Sequence, residues 1–129
     1  MAAFKRFEDI EAWKMARELC KAVWRVTSKG LFEKDFGFKN QIRNSSGSTM
    51  DNIAEGFERD GTKEFIQFIS ISKGSAGEVR SQAYRALDVG YITKDEFLEI
   101  YNLAIRVSSA DAGLIRYLKE CDLKGLKFK

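Results

Sequence analysis

The sequence predicts an all-α protein, an antiparallel up-down-up-down four-helix bundle forming a single domain over residues 1–129, and three observations carry that expectation. Proline is absent from the whole chain. Apolar residues recur at three- and four-residue steps through most of its length, while strand-like alternation is scarce. The resulting four stripes are each long enough for about 20 residues, or about 30 Å, of helix, and their short connections favour antiparallel neighbours.

The first helix is expected at about 9–28, with Asp9 as its N-cap. Trp13, Ala16, Cys20, Val23 and Thr27 form its stripe, broadened by Leu19 and Val26 on one side and Trp24 on the other. Between Lys29 and Gly37 the period breaks. Gly30 and Gly37 bracket Leu31, Phe32 and Phe36, which predicts a loop packing its aromatics onto the bundle end. The second helix, about 38–58, turns Phe38, Ile42, Ser46, Thr49, Ile53 and Gly56 inward, a small and partly polar set that permits close approach. After a turn at Phe57–Thr62, a third helix at about 63–89 carries Phe65, Phe68, Ile69, Ser72, Ala76, Val79, Ala83 and Leu87 on one face, and Gly90 stops it. Thr93 and Glu96 have capping-box spacing, with Ile92 and Phe97 placed as a hydrophobic staple, so the fourth helix is expected at about 94–119. Its stripe is Phe97, Ile100, Tyr101, Ala104, Val107, Leu114 and Leu118. A short basic tail, 121–129, mixes Lys124, Lys127 and Lys129 with Leu123, Leu126 and Phe128.

Composition narrows the function classes. A 44% hydrophobic share and a 32% charged share are those of an ordinary globular domain with one core. The balance of 22 basic against 19 acidic residues, a net charge of +3, is too mild to name a partner. Histidine is absent, which removes the commonest general base and the commonest metal ligand, so no enzymatic activity, cofactor or metal is expected. No apolar run approaches the roughly 18 residues of a membrane span, and Glu8, Asp9 and Glu11 stand where a signal peptide needs apolar residues, so a cytoplasmic protein is expected. Cys20 and Cys121 lack CxxC spacing and read as reduced thiols.

Two polar constellations stand out. Lys14, Arg17, Lys21 and Arg25 follow 3, 4, 4 spacing, form one row along the first helix, continued by Ser28, and are edged by Trp13 and Trp24. Such a ridge suits phosphates and a stacked base; the plainer reading is a solvated face whose long side chains cover core edges. Arg43, Asn52, Glu55, Arg59, Glu64 and Glu78 gather around the second and third helices and their turn. A di-iron bundle would need Glu-x-x-His pairs, which this chain lacks. A magnesium hydrolase built on Glu55, Glu64 or Glu78 needs a cleft, and a second helix lined with Ser45, Ser46, Gly47, Ser48 and Thr49 offers little cavity. Asn52, Glu55, Arg59, Glu64 and Glu78 therefore read as a structural polar network. Ser45, Ser46 and Ser48 have no base at fixed spacing. Gly74-Ser75-Ala76-Gly77 lies in a helical pattern without the Lys-Ser or Lys-Thr of a P-loop, so close packing explains it.

Phe7-Glu8-Asp9-Ile10 with Trp13 and Ala16, Gln41-Ile42-Arg43, Asn52-Ile53-Ala54-Glu55-Gly56-Phe57 with Arg59, Glu64-Phe65, Lys73-Gly74-Ser75 with Glu78, and Gly90-Tyr91-Ile92 form an ordered set of stretches. Together they resemble the four-helix-bundle proteins encoded in bacterial 23S ribosomal RNA intervening sequences. The resemblance covers nearly the whole chain and implies a ring-like homo-oligomer, a pentamer. A related group serves as accessory factors of diversity-generating retroelements, contacting a reverse transcriptase and nucleic acid. This chain departs from the pattern at Asn44, where a second basic residue is common, in lacking proline near Phe32 and Met50, and at Gly61, where serine is the usual cap. The expected function is that of a non-enzymatic oligomeric bundle binding RNA or DNA, with Lys14, Arg17, Lys21, Arg25 and Arg43 as contacts. The rival expectation is a protein-interaction scaffold or accessory subunit without nucleic-acid contact.

Overall fold

A 3-10 turn at Phe7–Asp9 leads into α1 (Glu11–Thr27), followed by α2 (Gly30–Lys34), α3 (Phe36–Glu58), α4 (Thr62–Asp88) and α5 (Lys94–Leu123). These elements belong to a computed structural model that describes residues 4–125, so Leu126, Lys127, Phe128 and Lys129 of the basic tail lie outside the described residues. The described residues contain no strand. No helix among them is long and apolar enough to cross a membrane.

The four long helices form a square in which α1 and α4 each pack against both α3 and α5. Partner numbers run in opposite directions across every edge. From Gln41–Arg85 through Ser45–Gln82 and Ser48–Ser75 to Gly56 against Phe65, α3 rises as α4 falls. Tyr84–Phe97 and Ser72–Asp111 set the same opposed sense for α4 and α5, Arg25–Glu99 and the Phe4–Tyr117 ring pair for the α1 edge with α5, and Cys20–Ser46 and Arg43–Thr27 for α1 and α3.

The predicted stripes meet inside. Ala16, Leu19, Val23, Val26, Ile42, Ile53, Phe65, Ile69, Val79, Ile100, Val107 and Leu118 are all buried. Trp13, Cys20, Phe68, Leu87 and Tyr101 are half-buried, and Trp24 is exposed, at the outer margins of their stripes. The α4–α5 turn is fixed at both ends by backbone chemistry. Gly90 takes φ 76, Tyr91 N–H donates to Ala86 O and Gly90 N–H to Leu87 O, a paired closure of the α4 C-terminus. Immediately after, Glu96 N–H donates to Thr93 Oγ1 at 3.1 Å and Thr93 N–H to Glu96 Oε1 at 2.8 Å, the reciprocal capping box, while Ile92 and Phe97 are buried around it.

Two local expectations are corrected. Asp9 is not the cap of α1; it closes the 3-10 turn, pairing with Arg6 at 3.2 Å, and the helix starts beyond the buried Ile10 with no side-chain cap. The stretch after α1 is not a simple loop but contains α2, and Asp35 then caps α3 by accepting from Phe38 N–H at 3.1 Å, so α3 begins at Phe36. Phe32 does pack inward, 5.0 Å from the Phe38 ring and 5.2 Å from Tyr91, whereas Leu31 and Phe36 face outward at 64% and 69% exposure.

Candidate functional site

Lys14, Arg17, Lys21 and Arg25 are all exposed. At about 100° per residue they occupy the arc of α1 opposite its buried Ala12, Ala16, Leu19 and Val26, so the row points straight out rather than bordering the core. Half of it is matched by carboxylates: Lys21 Nζ lies 3.1 Å from Glu18, and Arg25 Nη1 lies 3.1 Å from Glu99 on α5. Lys29 continues that pattern, 2.7 Å from Glu96. Lys14 makes no ion pair among the described residues, and the Arg17 guanidinium stands 5.8 Å from the Trp13 ring centroid. Arg43 reaches the ridge from α3. Its Cζ sits 3.6 Å above Trp24, which is 60% exposed, while Nε donates to Thr27 Oγ1 at 2.8 Å and Nη2 to Ser28 Oγ at 3.1 Å. The structure thus brings all five predicted contact residues to one side of the bundle.

The second constellation separates. Arg59 bridges Glu55 at 2.7 Å and Glu64 at 3.5 Å and lies 5.1 Å from the Phe68 ring, tying the end of α3 to the start of α4. Asn52 stays on its own helix, donating to Ser48 O and Ser48 Oγ, each at 2.8 Å, and Ser48 Oγ is 2.8 Å from Ser75 Oγ on α4. Glu78 is exposed and joins none of these contacts. Among the described residues no grouping of three or more His, Cys, Asp or Glu side chains is placed to hold a metal ion.

A polar site absent from the sequence reading lies in the core. Asp111 is 0% exposed, and Ser72 Oγ stands 2.7 Å from its Oδ2 and 2.8 Å from Thr49 O. Ser72 has one hydroxyl proton and two oxygen neighbours. If that proton goes to the Thr49 carbonyl, which can only accept, the Asp111–Ser72 contact needs its proton from Asp111. Burial pushes the Asp111 carboxyl up to about 7, with the Ser72 hydrogen bond and the Lys73 charge acting in the opposite direction. Among the described residues, Asp111 Oδ1 has no hydrogen-bond partner. The signal was available: Ala104, Val107, Asp111, Leu114 and Leu118 continue the 3, 4, 3, 4 inward steps of α5. Cys20 is also held from reaction, since burial raises its thiol to about 11 despite its hydrogen bond to Ser46.

Outside the closed core, a groove of about 580 Å³ runs between α4 and α5, bordered by Lys73, Arg80 and Lys119 over a floor that includes Gly74, Gly77 and Ser108. None of the three cations forms an ion pair among the described residues. The sequence reading missed this set because its members meet only through the α4–α5 register.

The chain matches the family model described as 23S rRNA-intervening sequence protein over residues 8–110. It is also similar to a crystal structure from Bacteroides thetaiotaomicron, described as a protein with unknown function from the S23 ribosomal protein family. That likeness has a TM-score of 0.74 at 21% identity and covers 81% of this chain and 95% of the other, which establishes a shared fold. No curated protein matches the chain.

Proposed function

Because the chain belongs to the 23S rRNA-intervening sequence protein family, we propose that it is a non-catalytic helical bundle that binds structured RNA through backbone electrostatics. The observation that carries this reading is the exposed line of Lys14, Arg17, Lys21 and Arg25 ending at Trp24 and Arg43. The carboxylates facing Lys21 and Arg25 are no obstacle. Both pairs are solvent-exposed, and such pairs contribute only about 0–1 kcal/mol, so a phosphate can replace Glu18 or Glu99 at small cost. The Trp24 ring supplies an aromatic face beside the charges, although Arg43 occupies one side of it. As part of the same proposal, the chain acts in the cytoplasm as a homo-oligomeric ring, a pentamer, with light scattering of the purified chain as the check on its assembly.

The test is a salt series with structured ribosomal RNA fragments. Four phosphate contacts predict a slope of log K against log salt of about −3 to −4, and the Lys21→Glu/Arg25→Glu variant should flatten it by about 2. Unchanged affinity in that variant removes α1 from the mechanism, and absence of binding at low salt refutes the reading. A second reading, a scaffold for a protein partner, is favoured by a different observation. Leu31, Phe36 and Val89 are 64%, 69% and 59% exposed in two connections that the Tyr91–Asp35 hydrogen bond joins at one bundle end. Partners retained in a pull-down after nuclease digestion, with no nucleic-acid binding by the purified chain, would select it.

A further inference from the structure

Several cations of the bundle are matched by carboxylates, and others are not. On α1 and at its end, Lys21, Arg25 and Lys29 each stand within 3.1 Å of a carboxylate. In the α4–α5 groove, Lys73, Arg80 and Lys119 have no such partner among the described residues, and no carboxylate lines the groove. Asp111, whose charge interacts with that of Lys73, is buried in the core. Three cations around one groove whose lining holds no carboxylate make a positive patch that favours an anion. The Arg80 guanidinium is held in place at the groove, 5.7 Å from the Tyr101 ring and beside Gly77.

The shape is also informative. Lys73 and Arg80 are two helical turns apart on one face of α4, about 10 Å along the axis, and Lys119 extends the set on α5. An elongated row suits several phosphates in line rather than one. The floor leaves room for them, because a Cβ added at Gly74 would meet nothing within 4 Å, and the Ser70 and Ser108 hydroxyls line the same groove. Its volume, about 580 Å³, lies within the roughly 300–1,000 Å³ of small-ligand sites.

We propose that the groove between α4 and α5 is a phosphate-binding site that takes a run of phosphate groups, those of a nucleic-acid strand. Its nucleic-acid half rests on the function proposed above, whereas its phosphate half stands on the groove alone. The groove lies on the edge of the bundle between α4 and α5, away from the outward arc of α1, so ridge and groove would hold separate parts of one RNA.

The experiment uses the full chain with two probes, a labelled single-stranded oligouridylate and inorganic tripolyphosphate. It compares the wild type, Lys73→Gln/Arg80→Gln/Lys119→Gln, and Gly74→Leu, which obstructs the floor while leaving every charge in place. Far-UV circular dichroism establishes that each variant is folded. The triple variant is expected to lose roughly tenfold or more in oligouridylate affinity and to flatten the salt slope by about 2, and Gly74→Leu should weaken binding in the same direction. Wild-type affinity in both folded variants overturns the groove even if the Lys21→Glu/Arg25→Glu variant is impaired, a result that would leave the α1 reading standing. If the wild type binds no RNA, the function proposed above fails, and tripolyphosphate decides the groove. A thermal upshift by tripolyphosphate that is lost in the triple variant upholds a phosphate site served by free polyphosphate; no upshift overturns it.

Discussion

Replacing Asp111 by asparagine tests whether the core carries a proton at neutral pH. The carboxyl has its ordinary value of 3.8 in the unfolded chain and about 7 in the folded one, so the folded state binds the proton more tightly. Stability is then fully present below the unfolded value, declines as pH rises from about 4 to about 7, and levels off above. The separation of about 3 pH units, at 1.36 kcal/mol each, amounts to about 4 kcal/mol, of which about 1 is already lost by pH 4.5. Asparagine does not titrate. Its Nδ2 can donate to Ser72 Oγ in place of the Asp111 proton, leaving the Ser72 hydroxyl for Thr49 O, while its second N–H has no partner and costs about 1–3 kcal/mol at every pH. Urea denaturation of both proteins between pH 4.5 and 8.5 should therefore show the variant gaining about 3 kcal/mol on the wild type across the range, starting below it and crossing it. A stability difference that stays constant over those four pH units would refute the protonated-core reasoning, because every other titrating group is common to both chains.

Two further outcomes follow from the helix contacts. At Gly56 an added Cβ would lie 2.6 Å from Phe68 Cβ and 2.9 Å from Phe65 Cδ1, so Gly56→Ala must force α3 and α4 apart. The overpacking penalty of about 1–3 kcal/mol should exceed the gain of about 1 kcal/mol in helix propensity, whereas Gly47→Ala, which meets nothing within 4 Å, should show that gain alone; chemical denaturation midpoints moving in opposite directions are the check. Thr93→Ala removes one hydrogen bond of the α5 capping box and the geometry that supports the other, and should lower unfolding free energy by about 0.5–2 kcal/mol, read as a lower thermal midpoint with unchanged helical content.

The stripes on α1, α3, α4 and α5 are legible in the sequence because burial there follows the helical period. The Thr93–Glu96 box is legible because its partners lie three residues apart. What escaped depends on other scales. α2 spans five residues, too short for a period to declare itself, and Asp9 has the residue type of a helix cap but ends a 3-10 turn instead. Asp111 looks like an interruption of the α5 stripe, since a charge at an inward step is intelligible only once Ser72 and Thr49 are known to face it. The exposed row from Lys14 to Arg25 is readable from spacing alone. The Glu18–Lys21 pair is local and equally readable, but the Glu99 carboxylate that answers Arg25, the seating of Arg43 on Trp24, and the gathering of Lys73, Arg80 and Lys119 around one groove depend on inter-helix register, which no local pattern encodes.

The hydroxyls and amides between α3, α4 and α5 also bear on which compact states are open to this chain. Apolar stripes tolerate sliding: one turn of slip between α3 and α4, about 5.4 Å, would still set oil against oil. It would also carry Gln82 past Ser45, Ser75 past Ser48, and Ser72 past Thr49. Each stranded donor would add about 1–3 kcal/mol, so misregistered bundles rise above the native one by several kcal/mol even where their greasy surfaces match. These small polar residues thereby act less as glue than as index marks, selecting one alignment from a family that hydrophobicity alone would leave nearly degenerate.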